Sequence, residues 1–208
     1  MTITALQRKG SNVLVCFDDA APVAMDYRTV LDNGLRKNDV LDETTLNRLI
    51  SESVFLKLKD SAFRLLGRRH HSVSELRNKL AKKKMPKEIV EKVLTDFKEK
   101  KLLDDEQFAL AYLEERFVRK KIGVNKLKAE LFKKGIERSI VDKVLLNLDR
   151  DLSYRQAVEL AEKKISSLGD KITDRKKKRF KIYSFLTSRG FESDLVLRTL
   201  NELMPDDD

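Results

Sequence analysis

The sequence predicts a mainly α-helical fold: three tandem three-helix repeat units forming an elongated, curved solenoid, preceded by a small N-terminal β-hairpin and helix module. Three observations carry this. One apolar pattern recurs at offsets of 51 and 55 residues, the 208 residues hold only seven glycines, and β-branched strand signals gather in the first 55 residues. A period near 50 residues marks stacked supersecondary units, each able to bury only part of its apolar face alone.

The N-terminal module spans residues 1–55. Ile3, Ala5 and Gln7 begin an extended segment, Gly10-Ser11-Asn12 signals a turn, and Val13-Leu14-Val15-Cys16-Phe17 is an apolar strand. Ala21–Ala24 can add a third short strand. Asp26 is placed to cap a short helix ending at Asn33-Gly34, and Asp42 or Thr44 to cap another through Leu46, Leu49 and Ile50.

From about residue 56 the chain repeats, with units at 56–103, 104–150 and 151–204 and an acidic tail at 205–208. Equivalent positions are Leu76, Leu127 and Ile182; Leu80, Leu131 and Leu186; Met85, Ile136 and Phe191; Val90, Val141 and Val196; and Leu94, Leu145 and Leu200. Each copy reads as a short helix, a break, and a second helix with apolar residues at i, i+1, i+4, i+5 and i+8. The break is Gly135-Ile136 or Gly190-Phe191, where glycine suits a left-handed C′ position; the first copy has Lys84 instead, with Pro86 following. A further helix precedes each pair, at roughly 56–69, 105–121 and 153–168. Ser72 with Glu75 forms a capping box.

Charge narrows the function class. The chain carries 44 basic and 34 acidic side chains, for +10. Residues 56–103 hold 15 basic against 6 acidic, so nearly the whole surplus lies in the first repeat. A localised basic surface attracts nucleic acid or another polyanion. One cysteine excludes an internal disulfide, and two histidines leave little for zinc. No apolar run approaches the roughly 20 residues that span a bilayer, and the N-terminus lacks a signal-peptide layout, so a cytoplasmic monomer without cofactor is expected. With no phosphate-binding glycine loop, acid–base pair or nucleophile motif, no enzyme is predicted.

Arg68-Arg69-x-x-Ser72-x-x-Glu75-Leu76 closely resembles a signature of the bacterial RecX family. So do Asp104-Asp105-x-x-Phe108-Ala109-x-x-Tyr112, Gly123-x-x-x-Leu127 and Phe185-Leu-x-x-Arg189-Gly190-Phe191. The resemblance covers about residues 56–203. It implies a regulator that binds the RecA nucleoprotein filament along its groove and mainly inhibits recombinase, ATPase and co-protease activities, in DNA repair and the SOS response. Single- and double-stranded DNA, bound without sequence preference, are the implied further partners. The residues alone leave open a stand-alone DNA-binding protein of helix-turn-helix-like repeats, although the short helices lack a common set of side chains for reading base edges.

The candidate contacts to RecA or DNA are basic. Repeat 1 offers Arg68, Arg69, Arg77, Lys82, Lys83 and Lys84. Repeat 2 offers Arg119, Lys120, Lys121, Lys133 and Lys134. Repeat 3 offers Arg175, Lys176, Lys177, Lys178, Arg179 and Lys181. Arginine suits bidentate pairing with phosphate or carboxylate, lysine longer-range attraction. Against each stands a solvated helix face, and for Arg68 and Arg69 a role at the preceding helix's C-terminus. His70-His71 reads as an inter-helix corner. Phe63, Phe97, Phe108, Phe117, Phe132 and Phe185 fall at helical spacings that favour core packing.

Overall fold

A computed structural model describes residues 1–169 and 172–205. All of the expected tail except Pro205 lies outside them. The chain divides into two compact units, Met1–Leu103 and the residues from Asp104 onward.

In the first unit, β1 (Ile3–Lys9), β2 (Asn12–Phe17) and β3 (Val23–Asp26) form an antiparallel sheet in that order. Alternation along β2 buries Val13, Val15 and Phe17, which pack with Ile3, Met25, Val30, Leu46 and Leu49. The last three come from α1 (Tyr27–Asp32) and α2 (Glu43–Leu66). The anticipated pair of helices around residues 43–69 is this one helix. Nothing between Ile50 and Leu56 breaks it, since Ser51-Glu52-Ser53-Val54-Phe55 holds neither proline nor glycine. Its cap is Asp42, accepting from the Thr45 N–H at 2.6 Å. Buried Asp26 fastens the module to α2: its backbone N–H donates to Ser53 Oγ at 2.7 Å, and its carboxylate pairs with Arg28, which also reaches Asp60. Arg28 holds the Asp26 carboxyl below the ordinary carboxylate range.

The C-terminal half of α2 continues as the first helix of repeat 1, with α3 (Val73–Ala81) and α4 (Lys87–Glu99). Repeat 2 is α5 (Asp105–Leu113), a π-helical turn over Glu114–Arg119, α6 (Val124–Lys133) and α7 (Arg138–Leu146). Repeat 3 is α8 (Arg150–Leu168), α9 (Arg175–Ser188) and α10 (Ser193–Leu203). Each repeat has its own core. Leu76, Leu127 and Ile182 are fully buried, as are Leu80, Leu131 and Leu186.

The corners between the second and third helices differ. In repeats 2 and 3 they are Schellman motifs. Gly135 and Gly190 take φ of +75° and +93°, and the N–H of Ile136 and of Phe191 bonds back to Leu131 O and Leu186 O, both at 3.2 Å. The residue after each glycine is driven into the core, Ile136 and Phe191 both being buried. Repeat 1 puts Lys84 at φ +57° instead, and Met85 stays 36% exposed. The equivalence of Met85 with Ile136 and Phe191 therefore holds in sequence but not in burial. Phe63 and Phe132 likewise depart from the expected core role, at 45% and 40% exposure. Phe63 packs at a tilt on Phe97, their ring centroids 4.7 Å apart, and Phe132 lies under Lys128.

In the second unit the corner of repeat 3 also receives the start of α6. The N–H of Gly123 donates to Arg189 O at 2.9 Å and that of Asn125 to Gly190 O at 3.0 Å, so repeat 3 satisfies donors that a helix N-terminus leaves open. The contact is possible because both surfaces lack Cβ: one on Gly123 would lie 2.1 Å from the Gly190 carbonyl carbon, and one on Gly190 2.3 Å from Lys126 Cβ. Gly123→Ala is expected to destabilise this unit by about 1–3 kcal/mol, because backbone on both sides cannot yield as a side chain would. Urea unfolding of the full chain measures it; an unchanged midpoint would show that the joint carries no stability.

Candidate polyanion-binding surface

The repeat 1 signature builds a corner. Ser72 Oγ accepts from the Glu75 N–H at 3.0 Å, and the Glu75 carboxylate returns to the Ser72 N–H, closing the capping box. Arg69 grips the same carboxylate with two nitrogens, at 2.9 and 3.3 Å, and donates to His70 O at 2.7 Å. It thus anchors the start of α3 and does not serve the last carbonyls of α2. His71 is buried beneath it. Its Nδ1 lies 2.9 Å from Arg69 O and its Nε2 2.7 Å from Lys79 Nζ, an arrangement that fits a neutral ring protonated on Nδ1. Burial, with Arg69 and Lys79 nearby, pushes the His71 pKa down against the smaller opposing effects of the Arg69 carbonyl and Glu75. Arg77 pairs with Glu91 at 2.7 and 3.0 Å, tying α3 to α4 and holding the Glu91 carboxyl below its usual range. Arg68, Lys82, Lys83 and Lys84 remain: all exposed, with no side-chain partner among the described residues.

Repeat 2 absorbs most of its candidates. Asp104 caps α5, accepting from the N–H groups of Glu106 and Gln107. The Tyr112 hydroxyl donates to Glu130 at 2.8 Å, and Arg116 grips the same carboxylate at 2.9 Å. Burial first, and then Glu130, push the Tyr112 pKa up to about 12. Lys134 sits over the Tyr112 ring, 4.9 Å from its centroid. Lys120 pairs with Glu115 at 2.6 Å, and Lys121 with Glu159 of repeat 3. Lys121 and then Lys163 bring Glu159 down to about 2. Arg119 and Lys133 are the exposed candidates without a side-chain partner among the described residues.

In repeat 3, Asp174 caps α9 through the Lys177 N–H and pairs with the Lys177 side chain at 3.6 Å. Lys178 donates to Gly169 O at 3.1 Å. Arg179 binds Leu200 O, Met204 O and Asn201 Oδ1, closing the C-terminus of α10. Arg175 reaches Pro205 O. Lys176 and Lys181 stay exposed without a side-chain partner among the described residues.

The unpaired candidates thus lie at the two ends of α3 in repeat 1 and on the outer face of α9, with Arg119 and Lys133 besides. Two features were missed in the sequence. Lys101, exposed and at φ +54°, adds a cation with no side-chain partner among the described residues. Phe180, within the basic run of α9, is 70% exposed; its position off the Ile182–Leu186 stripe was the available signal. Among the described residues no group of three or more His, Cys, Asp or Glu could hold a metal, and no helix is long and apolar enough to cross a membrane.

Comparison with known proteins agrees with this architecture. Models of the first, second and third three-helix domains of RecX match residues 59–97, 104–145 and 151–200. The regulatory protein RecX of Clostridium perfringens strain 13 is 32% identical over 193 residues, covering 93% of this chain and 90% of the relative. That of Chlorobium phaeobacteroides is 37% identical over 147 residues, covering 71% and 93%. A crystal structure of regulatory protein RecX shares the fold with a TM-score of 0.75 at 21% identity, covering 99% of both chains. RecX from Lactobacillus salivarius gives 0.66 at 23%, covering 72% and 96%.

Two outcomes follow from the turns at the two ends of α3. Lys84→Gly relieves a left-handed L-residue worth about 1 kcal/mol, partly offset by the freer unfolded chain. Urea titration should show a net gain of up to about 1 kcal/mol. The depressed His71 pKa means that the unfolded chain takes up a proton near pH 6.5 while the folded chain resists. Stability is then full above that pH and falls as the pH drops below it, by at most about 1.4 kcal/mol per unit. Thermal unfolding between pH 7.5 and 5 should show this decline, flattened in His71→Gln.

Proposed function

The chain belongs to the RecX family, and from that membership we propose that it regulates the RecA recombinase by binding the RecA–DNA filament. Binding mainly lowers recombinase, ATPase and co-protease activities in DNA repair and the SOS response. The reading carries with it a cytoplasmic monomer that contacts single- and double-stranded DNA without sequence preference.

One observation supports a direct role for the surface. Arg77, Lys120, Lys121 and Arg179 are consumed by internal bonds, yet Lys82, Lys83 and Lys84 stand together with no side-chain partner among the described residues. Three adjacent unneutralised cations suit phosphates or an acidic protein surface, where Coulomb attraction is long-ranged and insensitive to base sequence. Among the three corners between a repeat's second and third helices, theirs lacks a glycine and leaves its following apolar residue, Met85, open.

The reading is tested by titrating the full chain into RecA on single-stranded DNA and following ATP hydrolysis. Substoichiometric protein should slow hydrolysis. Reversing Lys82, Lys83 and Lys84 to Glu should raise the half-inhibitory concentration at least about tenfold at low salt, with the gap closing as salt rises. Hydrolysis unchanged across a full titration of the wild-type chain would remove the proposal.

A further inference from the structure

We propose that the outer face of α9 is a stacking platform for single-stranded nucleic acid, with the Phe180 ring receiving a base. The inference rests on the polyanion reading above and gives one part of that surface its substrate class.

The face is unusual in what it holds and in what it lacks. The helix reads Arg175-Lys-Lys-Lys-Arg-Phe-Lys-Ile-Tyr-Ser-Phe-Leu-Thr-Ser188 and contains no acidic residue. Ile182 and Leu186 turn inward and are fully buried. Lys176, Phe180, Ser184 and Ser188 are exposed and recur at four-residue steps, with exposed Lys177 and Lys181 four apart in the adjoining row, so they lie along one stripe. Lys177 is shared with Asp174, whereas Lys176 and Lys181 have no side-chain partner among the described residues.

Phe180 sits in the middle of that stripe at 70% exposure. The other outward phenylalanines are shielded, Phe63 by the Phe97 ring and Phe132 by Lys128; Phe180 makes no ring or cation–π contact among the described residues. Repeat packing does not require it either. Equivalent positions hold Ser74 and Asn125, and at Asn125 only the backbone N–H joins repeat 3. The ring therefore costs exposed apolar surface that nothing within the described fold recovers.

Its surroundings select the occupant. Protein interfaces deplete charge around their buried apolar anchors, and this ring has lysines on both sides with no second exposed apolar side chain on the stripe. A ring flanked by cations matches a base flanked by phosphates, since every base offers a π-face and stacking tolerates any sequence. In a duplex those faces are already stacked on one another, so an unpaired strand is the fitting partner.

The chain contains no tryptophan, so Phe180→Trp in the full-length protein places a lone indole at the site. Saturation with a 30-nucleotide oligothymidylate should strongly quench its emission, whereas heparin, which meets the same cations without bases, should not. Phe180→Ala should weaken oligothymidylate binding by about five- to tenfold in anisotropy titrations, with the salt slope unchanged. Lys176→Gln with Lys181→Gln should lower that slope by roughly 1.4. Binding by the wild-type chain with a silent indole and full affinity in Phe180→Ala overturns the stacking proposal alone. An indole that answers RecA protein without DNA, but not the oligonucleotide, overturns it in favour of protein docking. A wild-type chain that binds no oligonucleotide even at low salt removes the DNA-contact part of the polyanion reading as well.

Discussion

Each repeat depends on reversing the chain between its second and third helices, and this requires one residue in the left-handed region. Glycine meets that demand without the steric penalty a Cβ brings. In repeats 2 and 3 the glycine corner aims the next apolar side chain inward, so Ile136 and Phe191 are buried and the two helices share one core. At Gly190 the same bare backbone receives the start of α6, so one constraint both closes repeat 3 and joins it to repeat 2. Repeat 1 meets the geometric demand with Lys84 and forgoes the buried contact, leaving Met85 half-open beside three lysines.

The ion pairs explain why a rich supply of cations leaves so few available. Arg69 with Glu75 fixes a turn to the start of α3, while Arg77 with Glu91, and Arg116 and Tyr112 with Glu130, tie one helical segment of a repeat to another. Most of these groups are partly exposed, so each pair is worth a fraction of a kcal/mol in solution. Their larger consequence is geometric, because they take arginines and several lysines out of circulation. The motifs that make this chain resemble its family are largely of this internal kind: Ser72, Glu75, Phe108, Tyr112, Gly123 and Phe191 all serve caps, cores or joints.

The helices and their cores were legible in the sequence because apolar period and capping are local signals. Leu76–Leu80, Leu127–Leu131 and Ile182–Leu186 state the buried stripe outright. What stayed hidden depends on distance along the chain. Lys121 meets Glu159 38 residues away and Arg77 meets Glu91 14 away, so no window of sequence shows which cations are paired. The merging of two anticipated helices into α2 was in principle readable from the absence of a breaker at 51–55. The contact between Gly123 and Gly190 was not, because close backbone approach leaves no pattern beyond the glycines themselves.

Sorting the cations by their freedom separates two surfaces with different physics. The corner at Lys82–Lys84 carries charge beside a flexible methionine, so its attraction acts at long range and fades as salt screens it. The stripe on α9 combines charge with a rigid ring, whose contact is short-ranged and insensitive to salt. The total of +10 treats these as one quantity, yet most of that excess belongs to repeat 1, while residues 151–204 of repeat 3 hold 12 basic against 8 acidic side chains. In repeat 3 the acids do not occupy the outer face of α9. Asp174 caps the helix and Glu159 holds Lys121 and Lys163. A surplus of only four charges thus coexists with a largely uncompensated basic face, and it is the placement of carboxylates, as much as the number of lysines, that makes a surface available to a polyanion.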